Sequence, residues 1–150
     1  MKHLVLAATL ALAGCAQQSA PGNDATTAPD GSVPLSPGVS PVRIGEGGPG
    51  FDACGRVGAV VNLSPSGEAY LPLRTAPFVE AKEIGRLTNG RRLYVCTRSM
   101  DQKWQGVVVP PADAPDLDCR VSAPIAAPRA YDGPCQSGWV STAFVKPVAG

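Results

Sequence analysis

The chain has 150 residues, which is room for one domain rather than two. Its 17 glycines and 16 prolines are roughly twice their usual share, and this excess of turn-forming residues excludes a helical bundle. The 13 basic and 12 acidic residues nearly balance and form no block of like charge, so the composition argues against a nucleic-acid partner.

The first fifteen residues have the pattern of an export signal. Lys2 supplies positive charge, and Leu4 to Ala13 is an apolar run broken only by Thr9. A helix of about ten residues spans about 15 Å, which is too short to cross a bilayer, so the run is typical of a signal-peptide core. The segment Leu12-Ala13-Gly14-Cys15 resembles the bacterial lipobox, in which the chain is cleaved before the cysteine and the cysteine is lipidated.

The lipobox resemblance implies a signal peptide over residues 1–14 and a lipid anchor at Cys15. An anchor with several acyl chains is stable, because each buried CH₂ contributes about 0.8 kcal/mol. Ala16, rather than Asp, follows the cysteine, and the sorting rule of Gram-negative bacteria then favours the outer membrane. The expected location is the bacterial cell envelope, with the domain facing the periplasm. The alternative is an ordinary secretory signal with a chance cysteine.

A tether follows the anchor. Residues 16–50 contain six prolines, seven glycines and no aromatic residue. Such a segment cannot bury enough apolar surface to offset the entropy of ordering it. We therefore expect residues 15–50 to be the lipidated cysteine and a disordered tether. The alternative is an extended chain packed against the domain, chiefly at Val39 to Ile44.

The folded unit is predicted over residues 51–150, because every aromatic residue lies there. Short apolar and aromatic runs alternate with turn signals, and Asn89-Gly90 is a strong hairpin signal. One short helical turn is expected at Thr142–Val145, and a single turn over Glu80–Glu83 is too short to matter. The expected strands are Arg56–Leu63, Ala69–Arg74, Ile84–Leu87, Arg91–Thr97, Trp104–Val109 and Gly138–Ser141. This pattern predicts an all-β fold, a small barrel with an insertion at about 110–137.

An ordered set of motifs in this unit resembles the bacterial SH3-like (SH3b) domain over residues 56–147. The matching pieces are Leu71-Pro72-Leu73-Arg74-Thr75-Ala76-Pro77, Ile84-Gly85-Arg86-Leu87, Asn89-Gly90, Leu93-Tyr94-Val95, Trp104 and Gly138-Trp139-Val140-Ser141. The resemblance implies an SH3-like barrel that binds peptidoglycan peptides or docks proteins without catalysis. Two features depart from the family. Thr75-Ala76 replaces the usual Ser-Gly, and the insertion places the family's ligand groove in doubt.

Four cysteines lie in the folded unit, and an even number in an exported chain implies disulfides. Three pairings are possible. Cys119–Cys135 is favoured because it would close the base of the insertion and stabilise the fold by about 3 kcal/mol. The remaining pair is then Cys54–Cys96. No CxxC pair and no histidine accompany them, which argues against a zinc site and a redox-active dithiol.

An enzyme is not expected. The one histidine, His3, lies in the signal peptide, so a mature chain has no Ser-His-Asp or Cys-His machinery. Gly45–Gly50 lacks the lysine and flanking elements of a phosphate loop. Asp113, Asp116 and Asp118 lack the glycine and glutamate of a calcium loop. No cofactor or metal is therefore predicted.

The large aromatic residues supply the candidate ligand groove. Strand alternation puts Tyr70 and Tyr94 opposite the leucine faces, where they are either exposed or covered by the insertion. A shallow aromatic groove flanked by Arg74 and acidic residues could hold a short peptide. Trp104 and Trp139 complete the set, although a tryptophan in a Gly-Trp motif is more often a core residue. We expect an envelope binding module that docks on a peptidoglycan peptide or an envelope protein. The alternative is a structural or interaction lipoprotein that uses the insertion loop and has no small-molecule ligand.

Overall fold

Short β-strands make up almost all the regular structure of the chain. The computed structural model describes residues 38–67 and 69–148, so the predicted signal peptide, Cys15 and tether residues up to 37 lie outside it. The prediction of an all-β fold is confirmed, since the described residues contain one 3₁₀ turn, Thr142–Phe144, and no α-helix. No helix of the described part is long and apolar enough to cross a membrane.

Nine described strands form two sheets. They are β1 (Arg43–Ile44), β2 (Arg56–Val60), β3 (Leu71–Arg74), β4 (Glu83–Leu87), β5 (Arg92–Arg98), β6 (Trp104–Val109), β7 (Arg129–Ala130), β8 (Gln136–Ser141) and β9 (Val145–Pro147). The main sheet has seven strands in the order β4-β3-β8-β6-β5-β2-β9, and β1 pairs with β7. All these pairings are antiparallel. Within the described residues no ladder joins β4 to β9, so closure into an SH3-like barrel stays a prediction.

The six predicted strands correspond to β2, β3, β4, β5, β6 and β8 with small shifts of their ends. The 3₁₀ turn lies where a short helical turn was expected. The predicted turn at Glu80–Glu83 is not helical, and Glu83 opens β4. The strands β1, β7 and β9 were missed, because two or three residues are too few to show a period.

The main core lies on one face of the seven-stranded sheet. Leu71 and Leu73 are both buried in it, as the alternation in β3 predicts. Gly138 allows β3 and β8 to approach, since a Cβ there would lie 2.8 Å from the Arg74 carbonyl oxygen. The buried residues of this core are Val60, Leu63, Leu71, Leu73, Leu87, Leu93, Val107, Val109, Val140 and Val145.

A second apolar cluster lies between the sheet and the insertion. Both predicted disulfides, Cys54–Cys96 and Cys119–Cys135, are formed and lie in or against it. Its buried members are Ile44, Ala53, Cys54, Val108, Cys119, Val121 and Cys135. The insertion is therefore folded onto the domain and shares its core.

The predicted boundary at residue 51 is too late. Val42 and Ile44 are 2% and 1% exposed, and the Ser40 N–H donates to the Thr75 carbonyl oxygen across 2.9 Å. Gly106 leaves room for Val42, because a Cβ at position 106 would lie 3.3 Å from Val42 Cγ1. Residues 38–44, here called the strap, belong to the folded unit. Burial of Val42 and Ile44, with the backbone hydrogen bonds and the pairing of β1 with β7, offsets the entropy that the backbone loses on ordering, as in the alternative for Val39 to Ile44.

Candidate functional site

An open groove of about 310 Å³ lies beside β3 and the ends of β6 and β8. It brings together three of the five predicted ligand residues, Tyr70, Arg74 and Trp104. Its full lining is Tyr70, Leu71, Pro72, Arg74, Val79, Trp104, Ser141 and Phe144. We call it the Trp104 groove. Aromatic and aliphatic side chains with a single cation are typical of a site for a small, partly apolar ligand.

The groove exists because β3 and β8 separate. These strands share one paired position, Arg74 with Trp139. Continued pairing would place Pro72 opposite Ser141, but proline has no N–H to donate to a ladder. The two strands therefore diverge beyond Arg74, and Pro72 and Ser141 become opposite walls of the groove.

Ser141 presents a strand edge to this groove. The Thr142 N–H donates to the Lys103 carbonyl oxygen across 2.9 Å, which makes Trp104 and Ser141 a non-hydrogen-bonded pair of the β6–β8 ladder. The N–H of Ser141 consequently points away from β6, toward β3. The Ser141 C=O is already used by the 3₁₀ turn Thr142–Phe144, because the N-cap carbonyl accepts the first hydrogen bond of that turn. The β3–β8 ladder ends before it reaches Ser141, so a backbone donor faces the groove.

Tyr70 is held in place by its neighbours on β4. The Arg86 guanidinium carbon lies 4.2 Å from the centroid of the Tyr70 ring, a cation–π distance. Arg86 Nε in turn donates to Glu83 Oε1 across 2.6 Å. This hydrogen bond, with the charge of Glu83, raises the pKa of Arg86 above its ordinary value. The Tyr70 side chain is thus already held in one orientation, so less side-chain entropy is lost when a ligand binds against it.

Arg74 is the cation of the groove. Its Nη1 donates to the Ala81 carbonyl oxygen across 2.9 Å, which fixes the side chain. No carboxylate of the described residues forms an ion pair with it. Its remaining N–H donors can therefore serve an acidic or carbonyl group of a ligand.

The other two predicted ligand residues lie elsewhere. Tyr94 faces the insertion, and its hydroxyl donates to the Leu117 carbonyl oxygen across 3.1 Å. Trp139 is 5% exposed and buried under the strap, which agrees with its interpretation as a core residue. The prediction that both line the groove is wrong, because the insertion and the strap cover the sheet face on which they lie.

Sequence reasoning missed the remaining walls of the groove. Val79 is 66% exposed in the β3–β4 loop, and loop residues have no period that would identify them. Phe144 follows the last predicted strand, and Ser141 contributes through its backbone. In residues 38–67 and 69–148, no three His, Cys, Asp or Glu side chains cluster as metal ligands would.

Comparison with known proteins adds no identification: no family model, curated protein or solved structure matches the chain.

Proposed function

We propose that this protein is a non-catalytic binding module that holds a short peptide in the Trp104 groove. A lipid anchor at Cys15 would keep it at the outer membrane, with the domain in the periplasm. The ligand would be a peptide of peptidoglycan or a segment of an envelope protein. The alternative places the binding surface on the insertion.

The observation that carries this proposal is the convergence of three peptide-recognising features in one groove. Ser141 offers a backbone N–H donor to an extended chain. Tyr70 and Trp104 offer apolar walls for a side chain. Arg74 offers N–H donors for a carboxylate or carbonyl oxygen. Each feature alone is common at protein surfaces, whereas the three together match an extended peptide.

The direct test is cosedimentation of the detergent-solubilised full chain with purified peptidoglycan sacculi. We expect saturable binding that a soluble stem peptide competes away. Trp104→Ala and Arg74→Gln should each weaken it about tenfold, as expected for a loss of about 1.4 kcal/mol. Phe51→Ala is the matched control, because Phe51 is an aromatic residue that is 67% exposed and lies outside this groove.

The outcomes separate the alternatives. Sacculus binding that is unchanged in both groove variants, with the fold verified by circular dichroism, would refute the groove as the site. If such binding were lost in Leu117→Ser, the insertion surface would be responsible, since Leu117 is 40% exposed there. Absence of binding to sacculi and to envelope proteins would reject the proposal.

The anchor is tested separately. Cys15→Ser should block lipidation and move the chain from the detergent phase to the aqueous phase in a partitioning assay. Unaltered partitioning of that variant would exclude the lipid anchor without affecting the groove.

A further inference from the structure

The two disulfides have different surroundings. Cys119 and Cys135 are 1% and 9% exposed, within the insertion. Cys54 is 5% exposed, but its partner Cys96 is partly exposed and lines an open groove of about 440 Å³. We call this the Cys96 groove. A dissolved thiol can reach Cys96 through it, whereas both cysteines of the other disulfide are buried among the described residues.

Cys96 also lies at an irregular point of the sheet. The register between β5 and β6 shifts between Val95 and Thr97, so Cys96 has no partner on β6. The β2–β5 ladder ends at the pair Arg56 and Val95, so it has none on β2. A residue outside both ladders can move without breaking ladder hydrogen bonds. Small movements that align an attacking sulfur with the S–S bond are therefore inexpensive here.

Two arginines lie in the lining of the Cys96 groove, and the Glu46 carboxylate accepts a hydrogen bond from Thr97 of that lining. Arg56 and Arg98 line it, and neither forms an ion pair with a described residue. Asp52 is the acidic residue in the lining, and Phe51 forms an exposed apolar wall. Nearby cations stabilise thiolates, both an attacking one and a departing one.

We propose that Cys54–Cys96 is a thiol–disulfide exchange site for a dithiol reductant, whereas Cys119–Cys135 is permanently structural. One thiolate of the reductant attacks Cys96 Sγ and forms a mixed disulfide, while the Cys54–Cys96 bond breaks. Cys54 leaves as a thiolate two residues from Arg56 and takes up a proton. The second thiol of the reductant loses its proton and attacks the reductant's first sulfur, which is bonded to Cys96 in the mixed disulfide. Cys96 is released as a thiolate. The reductant departs oxidised by two electrons.

The domain has contacts that hold this segment after reduction. The Cys54 N–H donates to the Val121 carbonyl oxygen across 3.1 Å, and the Ala53 N–H donates to that of Ala123 across 3.0 Å. Neither bond depends on the sulfur atoms. Exchange at Cys96 is therefore a local, reversible change, and the absence of a CxxC motif fits a regulated disulfide rather than a catalytic dithiol.

The test is graded reduction of the native full chain with dithiothreitol. Free thiols, including Cys15 where it is unmodified, are first blocked with iodoacetamide. After reduction, new thiols are trapped with N-ethylmaleimide and mapped by peptide mass spectrometry. Cys54 and Cys96 should be labelled at least about tenfold faster than Cys119 and Cys135, with a rate proportional to the thiolate concentration. Equal rates for both disulfides, or a rate that saturates with dithiothreitol, would mean reduction through unfolding and would overturn the proposal.

A charge variant tests the local chemistry. Arg56→Gln should slow labelling of Cys96 about threefold at low ionic strength, because it removes a positive charge near the departing thiolate. Arg92→Gln is the matched control, since Arg92 lies on β5 but pairs with Asp116 of the insertion. Equal slowing in both variants would refute the role of Arg56.

Discussion

The indole N–H of Trp139 donates to the Ser40 carbonyl oxygen across 2.6 Å and joins residues 99 positions apart. The Thr75 hydroxyl adds a bond to the Gly38 carbonyl oxygen across 3.0 Å. These bonds fasten the strap to the end of the sheet that carries the Trp104 groove.

Deleting the strap should destabilise the domain. A chain that begins at residue 51 loses Val42 and Ile44, and burying side chains of this size contributes about 1.5–3 kcal/mol each. That loss is a large fraction of a typical stability of about 5–15 kcal/mol. We expect a clearly lower thermal midpoint for residues 51–150 than for residues 38–150. A cooperative transition of equal midpoint in both chains would contradict the role of the strap.

Tyr131→Phe should destabilise the insertion. The Tyr131 hydroxyl donates to the Cys119 carbonyl oxygen and accepts from the Cys135 N–H, each across 3.0 Å. Removing it leaves a backbone donor and an acceptor unpaired near the second disulfide, at a cost of about 1–3 kcal/mol. Chemical denaturation measures the change. Tyr70→Phe is the control and should change the free energy of unfolding little, because the Tyr70 hydroxyl makes no hydrogen bond with a described residue.

Arg120→Gly should stabilise the fold. Cys119 and Arg120 have φ values of 56° and 60°, in a turn closed by the Val121 N–H on the Asp118 carbonyl oxygen. A non-glycine residue costs about 1–2 kcal/mol in this region, so glycine should give a net gain of about 0.5–1 kcal/mol after its larger unfolded-state entropy. Arg120→Ala removes the same charge but keeps a Cβ. A gain of equal size in that variant would attribute the effect to charge.

Asp101→Asn should produce a stability difference that depends on pH. Hydrogen bonds from the Ser99 hydroxyl, across 2.6 Å, and the Lys103 N–H, across 3.1 Å, lower the pKa of Asp101 below its ordinary value of 3.8. A carboxyl group whose pKa is lower in the folded state than in the unfolded state stabilises the fold when the pH is above its pKa in the unfolded state. This stabilisation is lost as the pH falls through its pKa in the folded state.

Wild type should therefore unfold at a higher temperature than Asp101→Asn at neutral pH, and the two should converge in acid. Thermal melts between about pH 7 and pH 2 measure this. Asp113→Asn is the control, because the exposed Asp113 has no side-chain bond to a described residue. A gap between wild type and Asp101→Asn that persists in acid would show that the charge is not responsible.

Gln105→Met should be neutral or stabilising. Gln105 is 4% exposed, and its Oε1 has no hydrogen-bond partner among the described residues. An unpaired buried acceptor costs about 1–3 kcal/mol, which methionine of similar length avoids. Gln136→Met is the matched control and should be destabilising, because Gln136 Nε2 donates to the Ile84 carbonyl oxygen across 2.8 Å. A large loss of stability in Gln105→Met would show that the Gln105 side-chain amide makes a stabilising hydrogen bond.

The sequence alone determined the all-β class and the positions of six strands, and it favoured, among three possible pairings, the two disulfides that the structure contains. The class and the strand positions follow from local information. Side chains alternate with period two along a strand, as at Leu71 and Leu73, and turn residues such as Asn89-Gly90 end the runs. The same alternation also predicted that Tyr94 lies on the face opposite the leucines. Alternation alone does not decide whether Tyr94 is exposed or covered by the insertion.

Only the tertiary structure decided where the domain begins and which aromatic residues form the groove. The strap pairs with β7, about 85 residues away, and no local pattern encodes such a contact. The same is true of the Trp104 groove, which opens because Pro72 cannot donate to Ser141 on a strand distant in sequence. Local periodicity fixes which residues can be buried, whereas long-range packing fixes what each one is buried against.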